Sequence, residues 1–371
     1  MKHCRAIVHL EGLGRNIRAL QGTVQNNVDI IFVVKSDAYG HGLGPTVRKA
    51  YDEGIRWFAV AYLHEAIELR RHLSDARVLI MGTIEVGDVA EVIRLQLTPV
   101  LMSKLQARWL SEAAVSSNVR LDVHVKIDTG MGRLGLSGEH VLEDLAEVVT
   151  LPGLDVTGIC SHFATVEPKR PELAESQYLL FCEAAEYAEG ILGQRLFRHM
   201  SSSRAIQFHH EWDLDGIRPG ILLYGYGSGE LGMRIRTEPW LEWVAYVMQV
   251  KTVPPDTPVG YYSSYRTTQE TDIATVCVGY ADGFLRSLSN EGFVLIGGIR
   301  RPVVGRISMN WITVALGKDS GVVEGDKVVI IGRQGNDALW ANEIARWAGT
   351  IAYETLTAIS PHIQREYPDA G

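Results

Sequence analysis

The segment Ile30–Gly42, IIFVVKSDAYGHG, joins an apolar run that ends in a lysine to a turn that contains two glycines. Short apolar runs bounded by turn residues are typical of strands buried on both faces, so Ile30–Lys35 is predicted to be a strand. A helical pattern of apolar residues follows at Pro45–Gly54. A buried strand that leads through a turn into a helix is the repeating unit of α/β proteins, and the segment predicts that class.

The same unit recurs along the first two-thirds of the chain, with further helical patterns at His64–His72 and Glu172–Leu192. Eight strand–helix units are the number that closes a parallel (β/α)8 barrel of the TIM type. An open doubly wound sheet is the alternative that the pattern leaves. The predicted strands are Ile30–Lys35, Trp57–Ala61, Val78–Met81, Leu97–Leu101, Leu121–Asp128, Val156–Phe163, Phe197–Ser201 and Gly216–Arg218.

After residue 238 the pattern changes to strands joined by Gly, Pro and Asp turns, with one clear helix at Ala341–Ala348. The sequence therefore predicts a barrel domain over residues 11–238 and a β-rich domain over residues 239–371. Residues 1–10 are expected to pair with the second domain, because Arg5–Leu10 has the pattern of a strand. The later predicted strands are Trp240–Val253, Asp272–Tyr280, those within Gly292–Leu316, and Asp326–Gly332.

The chain has 371 residues, 46% of them hydrophobic, and a formal net charge of −8. These values are ordinary for a globular protein, and the charge gives no reason to expect nucleic acid or an anionic membrane as a partner. The first residues show no signal peptide, and no apolar run of about 18 residues could span a membrane, so a cytoplasmic protein is expected. The four cysteines form no CxxC pattern, so buried thiols rather than metal ligands are expected.

Lys35 ends the first barrel strand, where partial desolvation would lower its pKa and suit it to form a Schiff base. A lysine that simply reaches solvent is the alternative. Catalytic groups of closed barrels gather at the carboxyl ends of the strands, and polar residues follow four other predicted strands. These are Lys126–Arg133 (KIDTGMGR), His162, His199 with Ser201–Ser203, and Arg218–Ile221.

A phosphate group is often held after strands seven and eight of such barrels. Ser203 and the backbone N–H groups of Gly220 and Ile221 are suitable donors to it. Several segments, each weak alone, therefore converge on one end of the predicted barrel.

The segment Val33–Gly42, VVKSDAYGHG, resembles the signature around the pyridoxal 5′-phosphate (PLP) lysine of the alanine racemase family. KIDTGMGRLG, SHFAT, IRPGILLYG, GYADG and GRISMN resemble further segments of that family in the same order, over essentially the whole chain. The resemblance implies a PLP-binding (β/α)8 barrel followed by a mainly β domain, and the racemisation of an amino acid. It also implies a head-to-tail homodimer whose active sites are shared between subunits.

By this resemblance, Lys35 holds PLP and acts as the base on one face of the substrate α-carbon. Tyr261, from the other subunit, serves the opposite face; Tyr262 and Tyr265 are close enough in sequence to remain alternatives. Racemisation removes a proton on one face and returns one on the other, so two acid–base groups make chemical sense.

The resemblance also assigns the groups around the cofactor ring. Arg218 contacts the pyridine nitrogen and leaves it unprotonated, because an arginine does not easily lose a proton. His162 supports Tyr261 or Arg218 through hydrogen bonds. Arg133 holds the phenolic oxygen of PLP and the substrate carboxylate, to which the Met309 backbone N–H is a further donor.

Three further sets of positions match the family. Tyr39 and Ser203 correspond to residues that bind the cofactor phosphate. Lys126 matches a lysine that is carbamylated in many relatives, and an unmodified lysine is the alternative. The positions that line the channel for substrate access are Glu167, Tyr280, Arg286, Arg306 and Ile359.

The chain departs from the family pattern at Pro361, where a tyrosine usually contacts the cofactor phosphate and narrows the pocket. Proline has less bulk and no hydroxyl, so the pocket is expected to be more open unless His362 fills it. An apolar pocket discriminates one methylene by only about 1–3 kcal/mol, so serine or larger amino acids are alternative substrates to alanine. Other departures are Ser202, Pro219, Ser308 and Asn310.

Two other functions share this fold. A PLP-dependent decarboxylase has a barrel lysine and a β domain, but the cysteine-containing acidic motif usual in that class is not found in this chain. A non-enzymatic PLP carrier consists of the barrel alone and needs neither the β domain nor Tyr261. We therefore expect a racemase.

Overall fold

The computed structural model describes residues 4–167, 171–227 and 234–369. The chain starts with strand β1 (Arg5–Val8) and helix α1 (Leu10–Gln21). It divides into two compact units. One, here the barrel unit, comprises Gly14–Ala38 and Thr46–Thr237; the other, here the β unit, comprises Met1–Leu13, Tyr39–Pro45 and Glu238–Gly371.

The barrel unit contains eight parallel strands that close on themselves, since Asp29 and Ile30 of the first strand pair with Gly216 and Ile217 of the last. The closed barrel is confirmed and the open doubly wound sheet is excluded. The strands are β2 (Asp29–Val33), β3 (Trp57–Val60), β4 (Arg77–Ile80), β5 (Thr98–Leu101), β6 (Leu121–Lys126), β7 (Leu154–Cys160), β8 (Phe197–Ser202) and β9 (Gly216–Arg218).

Helices connect these strands and cover the outside of the barrel. All four residues of β3 are buried, as the continuous apolar run predicts for a strand covered on both faces. The helices are α2 (Leu43–Asp52), α3 (Leu63–His72), α4 (Val89–Arg94), α5 (Lys104–Ser116), α6 (Val141–Val149), α7 (Glu172–Leu192) and α8 (Ser203–Phe208).

Five strands end earlier than predicted; β3 and β4 do so by one residue, and three others end two or three residues early for a common reason. Strand β2 ends at Val33 instead of Lys35, β6 at Lys126 instead of Asp128, and β7 at Cys160 instead of Phe163. Hydrophobicity indicates burial but not backbone direction. At each carboxyl end the chain leaves the sheet while its side chains are still partly covered.

The departure after β2 is a left-handed turn over Ser36–Tyr39, with φ angles between 52° and 55° at four successive residues other than glycine. This conformation costs roughly 1–2 kcal/mol per L residue. The buried carboxylate of Glu65 accepts hydrogen bonds from the backbone N–H groups of Ser36 (2.5 Å), Ala61 (2.8 Å) and Tyr62 (3.1 Å). These bonds hold the start of the turn in place and offset part of its strain.

The β unit is built on a sheet in the order β15-β14-β17-β10-β1-β19, in which β1 runs antiparallel to β10 and parallel to β19. It contains β10 (Leu241–Val253), β11 (Pro258–Val259), β12 (Tyr265–Arg266), β13 (Thr271–Val276), β14 (Phe293–Ile296), β15 (Ile299–Pro302), β16 (Ile312–Gly317), β17 (Lys327–Gln334), β18 (Asp337–Leu339), β19 (Gln364–Glu366), α9 (Ala341–Ala348) and α10 (Ala352–Thr357). The mainly β character is as predicted, and the second helix, α10, was missed because six residues show little periodicity.

The segment Tyr39–Pro45 groups with the β unit, although it lies inside the range predicted for the barrel domain. The Tyr367 hydroxyl donates to the carbonyl of His41 (3.0 Å), and Arg365 Nε donates to the carbonyl of Gly40 (3.2 Å). Gly42, at φ +92°, has no room for a side chain because a Cβ would overlap the Tyr367 hydroxyl. The chain is thus tied to the β unit directly after the left-handed turn.

Within the described ranges, no helix is long and apolar enough to cross a membrane. The same part of the chain contains no group of three or more His, Cys, Asp or Glu residues that could hold a metal ion.

Candidate active site at the carboxyl ends of the barrel strands

Lys35 lies two residues beyond β2, at the start of the left-handed turn. Burial lowers the pKa of its amine, the positive charge of Arg133 lowers it further, and Glu65 opposes the shift. A larger fraction of neutral amine follows, and neutral amine is the form that attacks a carbonyl carbon or accepts a proton.

Arg133 is exposed on the loop that follows β6, and Asp128 shapes this loop. The Asp128 carboxylate accepts hydrogen bonds from the backbone N–H groups of Gly130 (3.0 Å), Gly132 (3.0 Å) and Arg133 (2.7 Å). Burial would raise the pKa of Asp128, but these three donors favour the charged form and hold the pKa below its usual value. The carboxylate therefore fixes the backbone from which the Arg133 side chain extends.

Lys126, the last residue of β6, is only 8% exposed. Its Nζ atom has no hydrogen-bond partner among the described residues. Burial lowers the pKa of this amine, and the positive charges of Arg218 and Arg133 act in the same direction. A buried amine without a partner favours the neutral form, because a buried charge needs a counter-charge.

Arg218, the last residue of β9, is held on several sides. Its guanidinium donates to the carbonyls of Ser161 (2.6 Å), His199 (2.8 Å) and Met200 (3.0 Å), and to Nδ1 of the His199 ring (2.6 Å). The Nδ1 atom of His162 lies 3.4 Å from the same group. Burial lowers the pKa of Arg218 from its very high normal value, but arginine remains a donor in proteins.

Three histidines around Arg218 are held neutral. Burial, aided by the charge of Arg218, lowers the pKa of His162 and of His124 to about 3 and that of His199 well below its usual value. His124 Nδ1 lies 2.8 Å from His199 Nε2. Sequence reasoning missed His124; the available signal was a histidine inside the apolar strand run Leu121–Asp128.

Ser203, the first residue of α8, accepts hydrogen bonds on Oγ from the backbone N–H groups of Gly220 (3.0 Å) and Leu222 (3.2 Å). The structure therefore brings Ser203 and Gly220 together. Leu222, rather than Ile221, is the second donor to this hydroxyl. Glu167, the remaining predicted residue of the barrel unit, is exposed.

The predicted site residues of the β unit are mostly exposed. Tyr261 and Tyr262 are 65% and 87% exposed, in a short turn after Gly260, and Met309 is 54% exposed. The Arg306 guanidinium lies over the Tyr262 ring, 5.1 Å from its centre. Arg286 and Tyr280 are also exposed.

Two predicted residues of the β unit are buried instead. Tyr39 is 5% exposed, with its ring 5.8 Å from that of Tyr353, and Ile359 is 1% exposed. Pro361 is exposed. The neighbouring His362 bonds to Asp282 (3.1 Å) and to the Ser360 hydroxyl (2.7 Å).

Comparison with known protein families agrees with this geometry. The family model "Alanine racemase, N-terminal domain" matches residues 8–228, and "Alanine racemase, C-terminal domain" matches residues 240–367. The chain belongs to the alanine racemase family.

Alanine racemase family members resemble this chain over nearly its full length. The alanine racemase of Carboxydothermus hydrogenoformans is 37% identical over 99% of this chain and 100% of its own. The structure of alanine racemase from Streptomyces lavendulae, a D-cycloserine producer, has a TM-score of 0.92 at 32% identity and covers 99% of this chain and 97% of its own. The Bartonella henselae alanine racemase, solved with covalently bound pyridoxal phosphate, has a TM-score of 0.85 at 26% identity over 99% and 100% of the two chains.

Alanine racemases are PLP-dependent isomerases, and this chain is an amino-acid racemase. Of the three functions that the sequence left open, the comparisons support the racemase over the decarboxylase and the carrier.

Proposed function

We propose that this racemase interconverts L- and D-alanine, with Lys35 holding PLP. The observation that carries the proposal is the state of Lys35, whose amine has a lowered pKa through burial and the charge of Arg133. Lys35 also stands in the segment that resembles the PLP-lysine signature of the family. The relatives named alanine racemase support alanine as the substrate.

The donor set around Ser203 fits the phosphate of PLP. The Ser203 hydroxyl and the Gly220 N–H lie within 3.0 Å of each other, and hydroxyl and backbone N–H groups are the donors that phosphate accepts from. Ile221 and Tyr39 complete the proposed phosphate site. Arg218, oriented by its own acceptors, binds the pyridine nitrogen and leaves it unprotonated.

The proposed reaction uses two acid–base groups of this chain. PLP, when bound, supplies the electron sink that stabilises negative charge on the α-carbon. Lys35 Nζ removes or returns the α-proton on one face, and the Tyr261 hydroxyl does so on the other. His162, 3.4 Å from Arg218, supports the orientation of that guanidinium.

The exposure of Tyr261 supports a homodimer with shared active sites. A catalytic tyrosine that is 65% exposed in its own chain needs a second surface to exclude water from the reaction. We infer that each Tyr261 serves the site of the partner subunit. Met309, also exposed, would donate its backbone N–H to the substrate carboxylate there.

Arg133 is the proposed partner of the substrate carboxylate and of the phenolic oxygen of PLP. Lys126 supports this role if its neutral amine adds carbon dioxide and releases one N–H proton to water, because the resulting carbamate is an anion that can orient Arg133. A buried neutral amine without a partner is the nucleophile that this addition requires. Tyr280, Arg286, Arg306, Ile359 and Glu167 are proposed to line the channel for substrate access.

Serine, or a broader range of amino acids, is the second candidate substrate. Pro361 stands where the family usually has a tyrosine, and His362 is engaged with Asp282 and Ser360. His362 is thus held by other groups, and we propose that the pocket beside Pro361 stays more open than in the family. The difference of one methylene or hydroxyl between substrates is discriminated only weakly by an apolar pocket.

The test is to incubate the protein and PLP with L-alanine, L-serine and L-lysine separately and to follow each D-enantiomer by chiral chromatography. Fastest formation of D-alanine supports the proposal, whereas fastest formation of D-serine or D-lysine supports the second candidate. Release of carbon dioxide, or an unchanged substrate in all three incubations, would contradict both.

A further inference from the structure

Three side chains, those of Arg218, His199 and His124, form a hydrogen-bond network in the interior of the barrel unit. Arg218 Nη1 lies 2.6 Å from His199 Nδ1, and His199 Nε2 lies 2.8 Å from His124 Nδ1. The three residues are 6%, 0% and 1% exposed. The proposed mechanism uses Arg218 and assigns nothing to His124.

The direction of the hydrogen bonds in this network is set by the guanidinium of Arg218. Because a guanidinium only donates, His199 Nδ1 must accept. Burial keeps both histidines neutral, so each ring carries one N–H. The proton of His199 is therefore on Nε2 and is donated to Nδ1 of His124, which leaves the proton of His124 on its own Nε2. In both histidines of the network the acceptor nitrogen, Nδ1, is therefore on the side of the ring that faces Arg218.

His124, at the far end of the network from Arg218, lines a cavity of about 730 Å³ at the amino ends of the barrel strands. Trp57 and Phe197 line the same cavity. Gly158 makes room for the ring, because a Cβ there would lie 2.5 Å from His124 Nε2. Water that enters the cavity can accept a hydrogen bond from the Nε2–H group of His124. The final N–H of the network can thus be satisfied by water, as a buried polar group requires a hydrogen-bond partner.

We propose that His124 is a positioning residue for Arg218. By accepting the hydrogen bond of His199 it fixes the His199 tautomer, and that tautomer presents a lone pair to the guanidinium. The role of Arg218 towards PLP rests on the proposed function. The direction of the hydrogen bonds in the network of Arg218, His199 and His124 does not. His124 acts through His199 and is not itself a catalytic residue.

Replacement of His124 by phenylalanine keeps a ring beside Trp57 and Phe197 but removes the acceptor. The His199 N–H is then buried without a partner, which is unfavourable. Moving that proton to Nδ1 relieves the cost but sets one donor against another at Arg218. Hydrogen bonds in a row polarise each other, so the effect reaches the guanidinium. Glutamine at this position offers a carbonyl oxygen and can replace the lost acceptor.

The experiment compares His124→Phe with His124→Gln and with Trp57→Phe as a matched control. The Trp57 ring packs against His124, with 5.6 Å between ring centres, and is not a member of the hydrogen-bond network. Nitrogen-15 NMR of histidine-labelled protein without PLP reports the His199 tautomer. Fluorescence titration gives the Kd for PLP, and L-alanine turnover gives kcat and KM.

We expect wild-type protein to show His199 protonated on Nε2 alone. In His124→Phe, the His199 signals change, PLP binds about tenfold more weakly, and kcat falls with little change in KM. His124→Gln recovers most of each property, and Trp57→Phe resembles the wild type.

The proposal is wrong if His124→Phe leaves the His199 tautomer and the Kd for PLP as they are in wild type, or changes them no more than Trp57→Phe does. If His124→Phe does not fold, a His124→Gln protein in which His199 loses the Nε2 proton overturns it equally. A wild-type protein that neither binds PLP nor forms D-alanine contradicts the proposed function, while the NMR measurement still decides whether His124 orders His199.

Discussion

Arg218 of the barrel unit differs from Tyr261 and Met309 of the β unit in how firmly its side chain is held. Arg218 is 6% exposed and donates to three carbonyls and one imidazole, whereas Tyr261 and Met309 are 65% and 54% exposed. Side chains locked by burial and hydrogen bonds are preorganised for a ligand, but exposed side chains keep their rotamer freedom. The difference indicates that a single chain orders Arg218 but leaves Tyr261 and Met309 free to be ordered by another surface.

The largest effect of a substitution is expected at Lys35. Lys35→Ala removes both the proposed covalent link to PLP and one of the two bases, so D-alanine formation should fall by at least about 10⁴-fold. Lys251→Ala, at an exposed lysine of β10, should keep full activity. Chiral chromatography of the product measures both, and a Lys35→Ala protein with more than a hundredth of wild-type activity would remove Lys35 from the mechanism.

Tyr261 is expected to matter next. Tyr261→Phe removes the second acid–base group but keeps the ring, and turnover should fall by about 10²–10³-fold in both directions. Tyr262→Phe is the matched control, because its neighbouring ring is also exposed. Equal losses in the two variants, or a greater loss in Tyr262→Phe, would show that the second base has been assigned to the wrong tyrosine.

A complementation experiment tests whether the exposed residues serve a partner. Co-expression of Lys35→Ala and Tyr261→Ala chains with different tags allows purification of mixed dimers. If sites are shared, one of the two sites in a mixed dimer retains both native residues, so about half of the wild-type activity per dimer is expected. Mixed dimers as inactive as either parent would mean that Lys35 and Tyr261 act within one chain.

A smaller change is expected at Pro361. Pro361→Tyr restores the bulk usual in the family, so the ratio of kcat/KM for alanine to that for serine should rise by about tenfold, while alanine turnover changes little. His362→Gln is a useful companion, since it alters the bonds to Asp282 and Ser360 without restoring that bulk. An unchanged ratio in Pro361→Tyr argues that the pocket is narrowed by another group.

The buried histidines of the barrel unit predict a pH dependence of stability. Above about pH 6.5 they are neutral in both the folded and the unfolded chain. Below it the unfolded chain binds protons that folded His124 and His162, with pKa values of about 3, do not bind. The free energy of unfolding should therefore fall by about 1.4 kcal/mol per histidine between pH 7.5 and 5.5. Urea denaturation of wild type and His124→Gln measures this, and the variant should lose less stability than the wild type.

The eight barrel strands could be predicted from sequence because parallel strands covered on both faces are nearly continuous apolar runs. The carboxyl ends of β2, β6 and β7 could not, whereas those of β5 and β9 were predicted. Lys35 and Lys126 remain partly or fully buried where the sheet stops, so hydrophobicity gives no signal for the change of backbone direction. The left-handed turn gives no sequence signal either, since of Ser36, Asp37, Ala38 and Tyr39 only Asp37 is of a residue type that adopts positive φ with any frequency.

The candidate site could be predicted mainly through motifs that resemble a known family. What the motifs did not give is the support behind them, such as the bonds of Glu65 to the turn and of Asp128 to the Arg133 loop. His124 illustrates the limit, because a histidine in a strand is ordinary until its neighbour across the barrel is known. Its partner His199 lies 75 residues further along the chain.

The turn Ser36–Tyr39 has a consequence that concerns chirality itself. An L residue enters the left-handed region only against steric resistance, whereas a D residue prefers it for the same reason in mirror image. The backbone beside the proposed catalytic lysine thus has, over four residues, the handedness natural to D-amino acids. A semisynthetic protein with D-alanine at position 38 would adopt this backbone conformation without the steric cost that an L residue meets, so the turn would be relieved of strain by one of the proposed products of the reaction.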